Sequence, residues 1–221
     1  MRIVICSSKS WFELNPSISN AHFVKYLQSK DQLSIEALIE FKPDYVFFIH
    51  WNWIVKKEIH DNFNCVVFHT APLPYGRGGS PIQNLILEGF DKSPVCAIKM
   101  TKELDSGPIY ASSYVSLTGS LKDIFSRLNV VVNDLIVEIT ENNPSAIPQH
   151  GEPHIFKRLT IKDNEIPMGL ELEEIYDRIR MVDHKDYPNA FITYGNTKIE
   201  FSSAELVRDT IEVACVIKKL T

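Results

Sequence analysis

The chain has 221 residues, 44% hydrophobic and 23% charged, a balance that excludes disorder and low complexity and allows one main domain plus a short appendage. Its formal net charge is −5, and its Lys and Arg residues are scattered rather than run together, which argues against a surface that tracks the phosphates of a long nucleic acid. Cys6, Cys65, Cys96 and Cys215 stand far apart without a C-x-x-C pair, as reduced core thiols do, and no apolar run reaches membrane length or makes a signal-peptide core, so a soluble cytoplasmic protein is expected.

Arg2 to Cys6 is a compact β-branched run closed by Ser7 and Ser8, the pattern of a strand buried on both faces. Between it and a second such run, Tyr45 to Ile49, Ile35, Leu38 and Ile39 share one helical face over residues 34–41, and Pro43 ends that helix. A third run, Cys65 to Phe68, extends the β, α, β alternation, which implies a mainly parallel sheet with crossover helices. Ser80-Pro-Ile-Gln83 then reads as an N-cap, a first-turn proline and a capping-box glutamine, with Gly89 closing a short helix. Val95 to Met100 and Tyr110 to Leu117 predict two more strands joined by the turn Asp105-Ser-Gly-Pro108. The longest helix follows, capped by Ser120 and Asp123, with Leu121, Ile124, Phe125, Leu128, Val132, Leu135, Ile136 and Ile139 recurring at three and four. Residues 142–165 have prolines and no hydrophobic period. Beyond them, Leu172, Ile175, Tyr176 and Ile179 predict a helix, and residues 190–194 and 198–201 alternate around Gly195-Asn196 as a hairpin. The expected organisation is a main α/β unit over residues 1–145, a linker over 146–170 and a small α+β appendage over 171–221. The apolar tail Ile211 to Ile217 fits either a last strand or a homodimer contact.

Of seven histidines, His69 stands out, because it ends a predicted strand where open α/β sheets present ligand-binding groups. It opens His69-Thr-Ala-Pro-Leu-Pro-Tyr-Gly-Arg-Gly-Gly-Ser-Pro-Ile-Gln83, whose glycines at 76, 78 and 79 would let backbone approach a bound molecule and whose prolines stiffen the loop. Asp105, 36 residues after His69, is by itself only a turn-former before Ser-Gly. Beside an imidazole, a carboxylate fixes the tautomer and favours proton acceptance, so the two together point to general base catalysis.

These two segments resemble the N10-formyltetrahydrofolate-dependent formyltransferases. His69 to Gln83 is similar to the family's H-x-S-L-L-P-x-x-R-G-x-x-P-I-Q, keeping His69, Leu73, Pro74, Arg77, Gly78, Pro81, Ile82 and Gln83. Met100 to Ile109 is similar to M-x-x-x-L-D-[ST]-G-x-I at the same separation. Tyr176, Ile179, Arg180, Tyr187, Pro188, Ala190 and Phe191 resemble the start of the family's post-catalytic segment. The resemblance implies a Rossmann-like formyltransferase fold. With only about 45 residues before Tyr45, it also implies a shortened N-terminal half that lacks one strand–helix unit. It implies a formyl group moving from N10-formyltetrahydrofolate to a primary amine with no metal, His69 taking the proton and Asp105 orienting the ring. Trp51, Trp53, Ile54, Leu104 and Asp105 would line the folate side, and Thr70, Arg77, Gly78, Gly79, Ser80 and Gln83 the acceptor side; Arg77 fits a local structural role as well as an acceptor phosphate.

Two departures bear on mechanism. The family's catalytic asparagine stands two residues before the histidine, where this chain has Val67, and Ala71 and Pro72 replace the family's Ser-Leu. One preorganised donor to the developing oxyanion is worth about 3 to 4 kcal/mol, so His50 or Asn52, from the adjacent strand end, is expected to substitute. The acidic charge and short tail argue against a tRNA acceptor, and the glycine-free Cys6-Ser-Ser-Lys-Ser10 against a purine-pathway one. An amino sugar remains, nucleotide-linked, as in the short enzymes of surface-polysaccharide or flagellin-sugar pathways of pseudaminic or legionaminic type, which the His50-Trp-x-Trp53 pattern resembles. The alternatives are a folate or sugar binder that has lost turnover, a methionyl-tRNA formyltransferase-like enzyme, and a hydrolase of the formyl donor.

Overall fold

The computed structural model describes residues 1–220. The first apolar run forms β1 (Arg2–Ser7), buried from Ile3 onward, as a central parallel strand must be. Asn15 caps α1 (Pro16–Ala21) by accepting from the Ser17 backbone N–H, and β2 (Phe23–Leu27) pairs in parallel with β1. Ser34 caps α2 (Ile35–Phe41), which Lys42 closes in the left-handed conformation just before Pro43. The wholly buried β3 (Tyr45–Ile49), the single-turn α3 (Lys57–His60) and β4 (Cys65–Thr70) follow. Next come β5 (Tyr75–Gly78), α4 (Pro81–Leu87), β6 (Lys92–Lys99), β7 (Ile109–Ser116) and the long α5 (Leu121–Asn142) with its Ser120–Asp123 capping box. The chain continues through β8 (His154–Phe156) and α6 (Leu172–Arg180) into β9 (Ala190–Tyr194), β10 (Thr197–Val207) and β11 (Thr210–Lys219).

The main sheet runs β2-β1-β3-β4-β6-β7, parallel as far as β4 and antiparallel from there. Strand alternation sorts its side chains onto two faces. Val4, Cys6, Val46, Phe48 and Cys65 pack with Leu38 of α2 and Ile59 of α3, whereas Ile3, Ile5, Phe47, Ile49 and Val66 pack with α4 and α5. A mixed α/β unit with a mainly parallel sheet results, and β9, β10 and β11 form a separate antiparallel sheet. Arg180, buried in α6, donates to the Leu117 and Gly119 carbonyls and pairs with Asp177, pinning the appendage to the turn before α5.

The N-terminal half is short as expected: β2 alone lies outside β1 in the main sheet, one strand fewer than in the 3-2-1-4 order of a full dinucleotide-binding half, and α1 and α2 have only 6 and 7 residues. Several other expectations need correction. Ser80 does not cap α4; it sits at φ 52° and its hydroxyl accepts from the Leu159 N–H instead. Cys215 is not a core thiol but lies exposed on β11, unlike Cys6, Cys65 and Cys96. The aperiodic passage 146–170 holds β8, which pairs in parallel with β5, and a 3-10 turn at Ile161–Asn164. No helix among the described residues is long and apolar enough to cross a membrane.

Candidate active site

His69 stands near the end of β4 and Asp105 in the long turn between β6 and β7, with their side chains only 7% and 9% exposed and His69 Nδ1 at 3.4 Å from Asp105 Oδ2. His69 Nε2 lies 2.7 Å from the Gly76 carbonyl oxygen. A carbonyl only accepts, so Nε2 carries a hydrogen and Nδ1 is the nitrogen turned to the carboxylate. Asp105 Oδ2 also accepts from the Gly78 N–H at 3.0 Å, which joins the two sequence motifs directly. A proton arriving at Nδ1 would face a buried carboxylate, and the resulting charge-assisted contact would stabilise the imidazolium. The arrangement therefore suits a general base.

The turn carrying Asp105 is tightly folded. Asp105 adopts φ 50°, and a side chain on Gly107 would place its Cβ 1.7 Å from the Lys99 carbonyl oxygen. Gly107→Ala must therefore displace the turn that carries the carboxylate, and we expect activity to fall at least about 10²-fold with donor binding retained, since an ångström of misplacement costs about that much. Initial rates beside a folate-binding titration check this.

The glycines of the first motif are occupied by the chain itself. A Cβ on Gly76 would meet the Phe156 ring at 2.6 Å, and one on Gly79 would meet Arg158 Cβ at 2.5 Å. Their lack of side chains admits β8 and its continuation, which is a nearer use than the approach of a ligand. Arg77 is likewise engaged within the protein: Nε and Nη2 donate to Gln149 Oε1 at 3.0 and 2.7 Å. Gln83 is buried and reaches the Met181 carbonyl at 3.4 Å and the Tyr187 hydroxyl, and Thr70 is buried at the end of β4.

His50 belongs to a different cluster. It follows β3 at φ 50° and its ring is enclosed by Trp11, Phe125 and Tyr187. Trp11 Nε1 donates to His50 Nδ1 at 3.2 Å, and the Tyr187 hydroxyl lies 2.9 Å from Nε2. An indole N–H can only donate, so the ring hydrogen is on Nε2 and points to the Tyr187 oxygen. Burial, reinforced by the positive charge of Lys9, pushes the His50 pKa down to about 4. Both ring nitrogens are spent within the protein. Asn52 is exposed on the loop after β3, with Trp53 and Ile54, while Trp51 packs partly into the core and meets Trp53 edge-on. Leu104, beside Asp105, is 70% exposed. Val67, at the family's asparagine position, packs against the apolar cluster under α2 and α3. Among the described residues, no group of three or more His, Cys, Asp or Glu is placed to hold a metal ion.

Gln149 as a neighbour of Asp105, and Trp11 and Tyr187 as the partners of His50, emerge only in three dimensions. Gln149 lies in the aperiodic passage, where no spacing signals it.

Residues 161–218 match the family model described as the methionyl-tRNA formyltransferase C-terminal domain. A methionyl-tRNA formyltransferase from Prochlorococcus marinus (strain NATL2A) is 28% identical over 80% of this chain and 57% of its own length, and the chain spans about three fifths of the curated relatives it matches. A sugar N-formyltransferase from a Shewanella species shares the fold, with a TM-score of 0.67 and 18% identity over 94% of this chain and 99% of that one. The solved structure of a methionyl-tRNA formyltransferase from Clostridium thermocellum superposes with a TM-score of 0.92 at 39% identity, covering 99% of both chains. Identity of that order sustained over the whole length, together with both motifs meeting at one buried pair, means that the chain belongs to the formyltransferase family.

Proposed function

We propose that the protein transfers a formyl group from N10-formyltetrahydrofolate to the primary amine of an amino sugar, carried on a nucleotide. What supports this most is the buried contact between His69 and Asp105 at 3.4 Å. The residues on the loops also suit a flat folate: Trp53, Ile54 and Leu104 expose apolar side chains that a pterin would cover, an aromatic contact adding about 1 kcal/mol beyond burial. When bound, the folate supplies the formyl carbon. In this reading the hydrogen bond from Nε2 to Gly76 fixes the ring, Nδ1 takes the proton of the amine as its nitrogen bonds the formyl carbon, Asp105 holds the imidazolium, and the same proton passes to N10 as the carbon–N10 bond breaks and tetrahydrofolate leaves. General base action of this kind contributes about 10²- to 10⁴-fold. Asn52 takes the part of the oxyanion donor that Val67 cannot play, since His50 has no nitrogen left for it. Thr70, Gly78, Gly79, Ser80 and Gln83 shape the acceptor side.

The acceptor is inferred from charge. Residues 190–221 carry four basic and four acidic side chains, and Glu200 pairs with both Lys198 and Lys218, a balance without the basic excess that binding tRNA phosphates favours. A second reading, a methionyl-tRNA acceptor, is favoured by the relatives of that name and by the family model over residues 161–218. Incubating the protein with N10-formyltetrahydrofolate and, separately, UDP- and dTDP-linked amino sugars or initiator methionyl-tRNA decides between them. Tetrahydrofolate release with a nucleotide sugar is the expected result; release with the tRNA alone overturns the sugar assignment. Donor loss without any acceptor would identify a hydrolase, and folate binding without turnover a binder.

A further inference from the structure

Gln149 lies outside both sequence motifs, yet its side chain touches both. Its amide oxygen accepts from Arg77 Nε at 3.0 Å and Nη2 at 2.7 Å. Its amide nitrogen donates to the Asp105 carbonyl and to the Gly107 carbonyl, each at 2.8 Å. A primary amide has two N–H donors and one oxygen with two lone pairs, so its whole hydrogen-bonding capacity is used in one bridge from β5 to the Asp105 turn.

The turn needs such a bridge. Asp105 has φ 50°, a conformation that costs a non-glycine residue free energy and persists only where the surroundings hold it. The Gly78 N–H restrains its carboxylate, but the backbone on either side of Ser106 is held through the two carbonyls that Gln149 binds. Arg77 anchors the other end and is set in β5, which is itself paired to β8. The bridge therefore runs from a strand to a strained turn and ends one peptide from the carboxylate that faces His69.

We propose that Gln149 is a positioning residue for formyl transfer: anchored on Arg77, it holds the backbone at Asp105 and Gly107 so that the Asp105 carboxylate stays against His69 Nδ1. This rests on the reading of His69 and Asp105 as the proton-transfer pair. It also gives Arg77 a task within the protein in place of an acceptor contact.

Two readouts on the full chain test it. The first is kinetic, with the acceptor that turns over in the panel above. Gln149→Ala is expected to lower kcat about 10- to 100-fold while KM for N10-formyltetrahydrofolate moves less than about three-fold. Gln149→Glu keeps an acceptor for Arg77 but has no N–H for the two carbonyls, so it should fall with Gln149→Ala. Adding Arg77→Ala to Gln149→Ala should cost less than about two-fold more, because members of one network are not additive. An unchanged kcat in Gln149→Glu, or a loss confined to KM, overturns the proposal.

The second readout needs no turnover. The His69 ring signals of ¹³C-histidine-labelled protein, assigned with His69→Ala, are followed against pH. The Gln149→Ala and Gln149→Glu curves should track that of Asp105→Asn, with the His50 signals unmoved. Curves that overlay the wild type overturn the positioning role. If no acceptor turns over, the functional reading fails by itself, and this titration still decides whether Gln149 places Asp105.

Discussion

His69→Ala should lower kcat by about 10²- to 10⁴-fold, the range that a positioned general base contributes, with folate binding preserved. The ring contributes nothing essential to the core: its Nε2 bonds one backbone carbonyl, Gly76, and its Nδ1 faces Asp105. Asp105→Asn is a sharper version of the same test. An asparagine oxygen can still accept from the Gly78 N–H, so the turn keeps that contact, but the negative charge that would face a protonated Nδ1 is gone. We expect a loss of roughly 10²-fold or more, the scale of removing one preorganised electrostatic partner. Initial rates of tetrahydrofolate release, beside thermal melts showing that both variants fold, measure the effect. Either variant retaining more than about a tenth of the wild-type rate would remove the acid–base assignment.

The second large effect is on stability rather than rate. His50 has an ordinary pKa of 6.5 that burial, and then Lys9, push down to about 4 in the folded chain. Between these values the unfolded chain binds a proton that the folded chain excludes. Stability is therefore full above the unfolded value and falls as pH drops through the window from 6.5 to 4. At about 1.4 kcal/mol per pKa unit the loss is up to about 3 kcal/mol. His184 and His22 are also held low, chiefly by burial, so the wild type as a whole should lose more than this single share. The part due to His50 is isolated by comparing urea midpoints at pH 7 and pH 4.5 for the wild type and His50→Gln. The variant should be less stable at pH 7, having lost its fitted partners Trp11 and Tyr187, and should lose less on acidification. Equal losses in the two proteins would rule out His50 as the source.

How much of this was legible in the sequence follows from the kind of signal each feature leaves. Strands β1, β3 and β4 are buried on both faces and so read as unbroken apolar runs, and α5 carries a full amphipathic period with its cap. β2 left no such mark, because Phe23-Val-Lys-Tyr-Leu27 is an edge strand with Phe23 74% exposed. The pairing of β5 with β8 was hidden too, since one strand is a Gly-Arg-Gly stretch and the other a three-residue segment. His69 and Asp105 were legible because both lie in motifs of fixed spacing. The neighbourhood of His50 was not: its partners, Trp11 and Tyr187, come from residues 39 and 137 positions away. Glycines at 76 and 79 announced a close approach, but only the packed chain shows that the visitor is Phe156 and Arg158.

The pairing of β5 with β8 also dictates when the site can exist. Tyr75 and His154 are register partners, so a loop of more than seventy residues must close before Gly76 and Gly78 are clamped in place. Closure of so long a segment delays the contact and lets nearer ones form first. On a ribosome, the strands up to β7 and the start of α5 can collapse while β8 is still inside the exit tunnel. The nascent chain would thus acquire its hydrophobic layers before its chemistry, and cleavage between α5 and β8 in the finished protein should abolish turnover while much of the sheet survives.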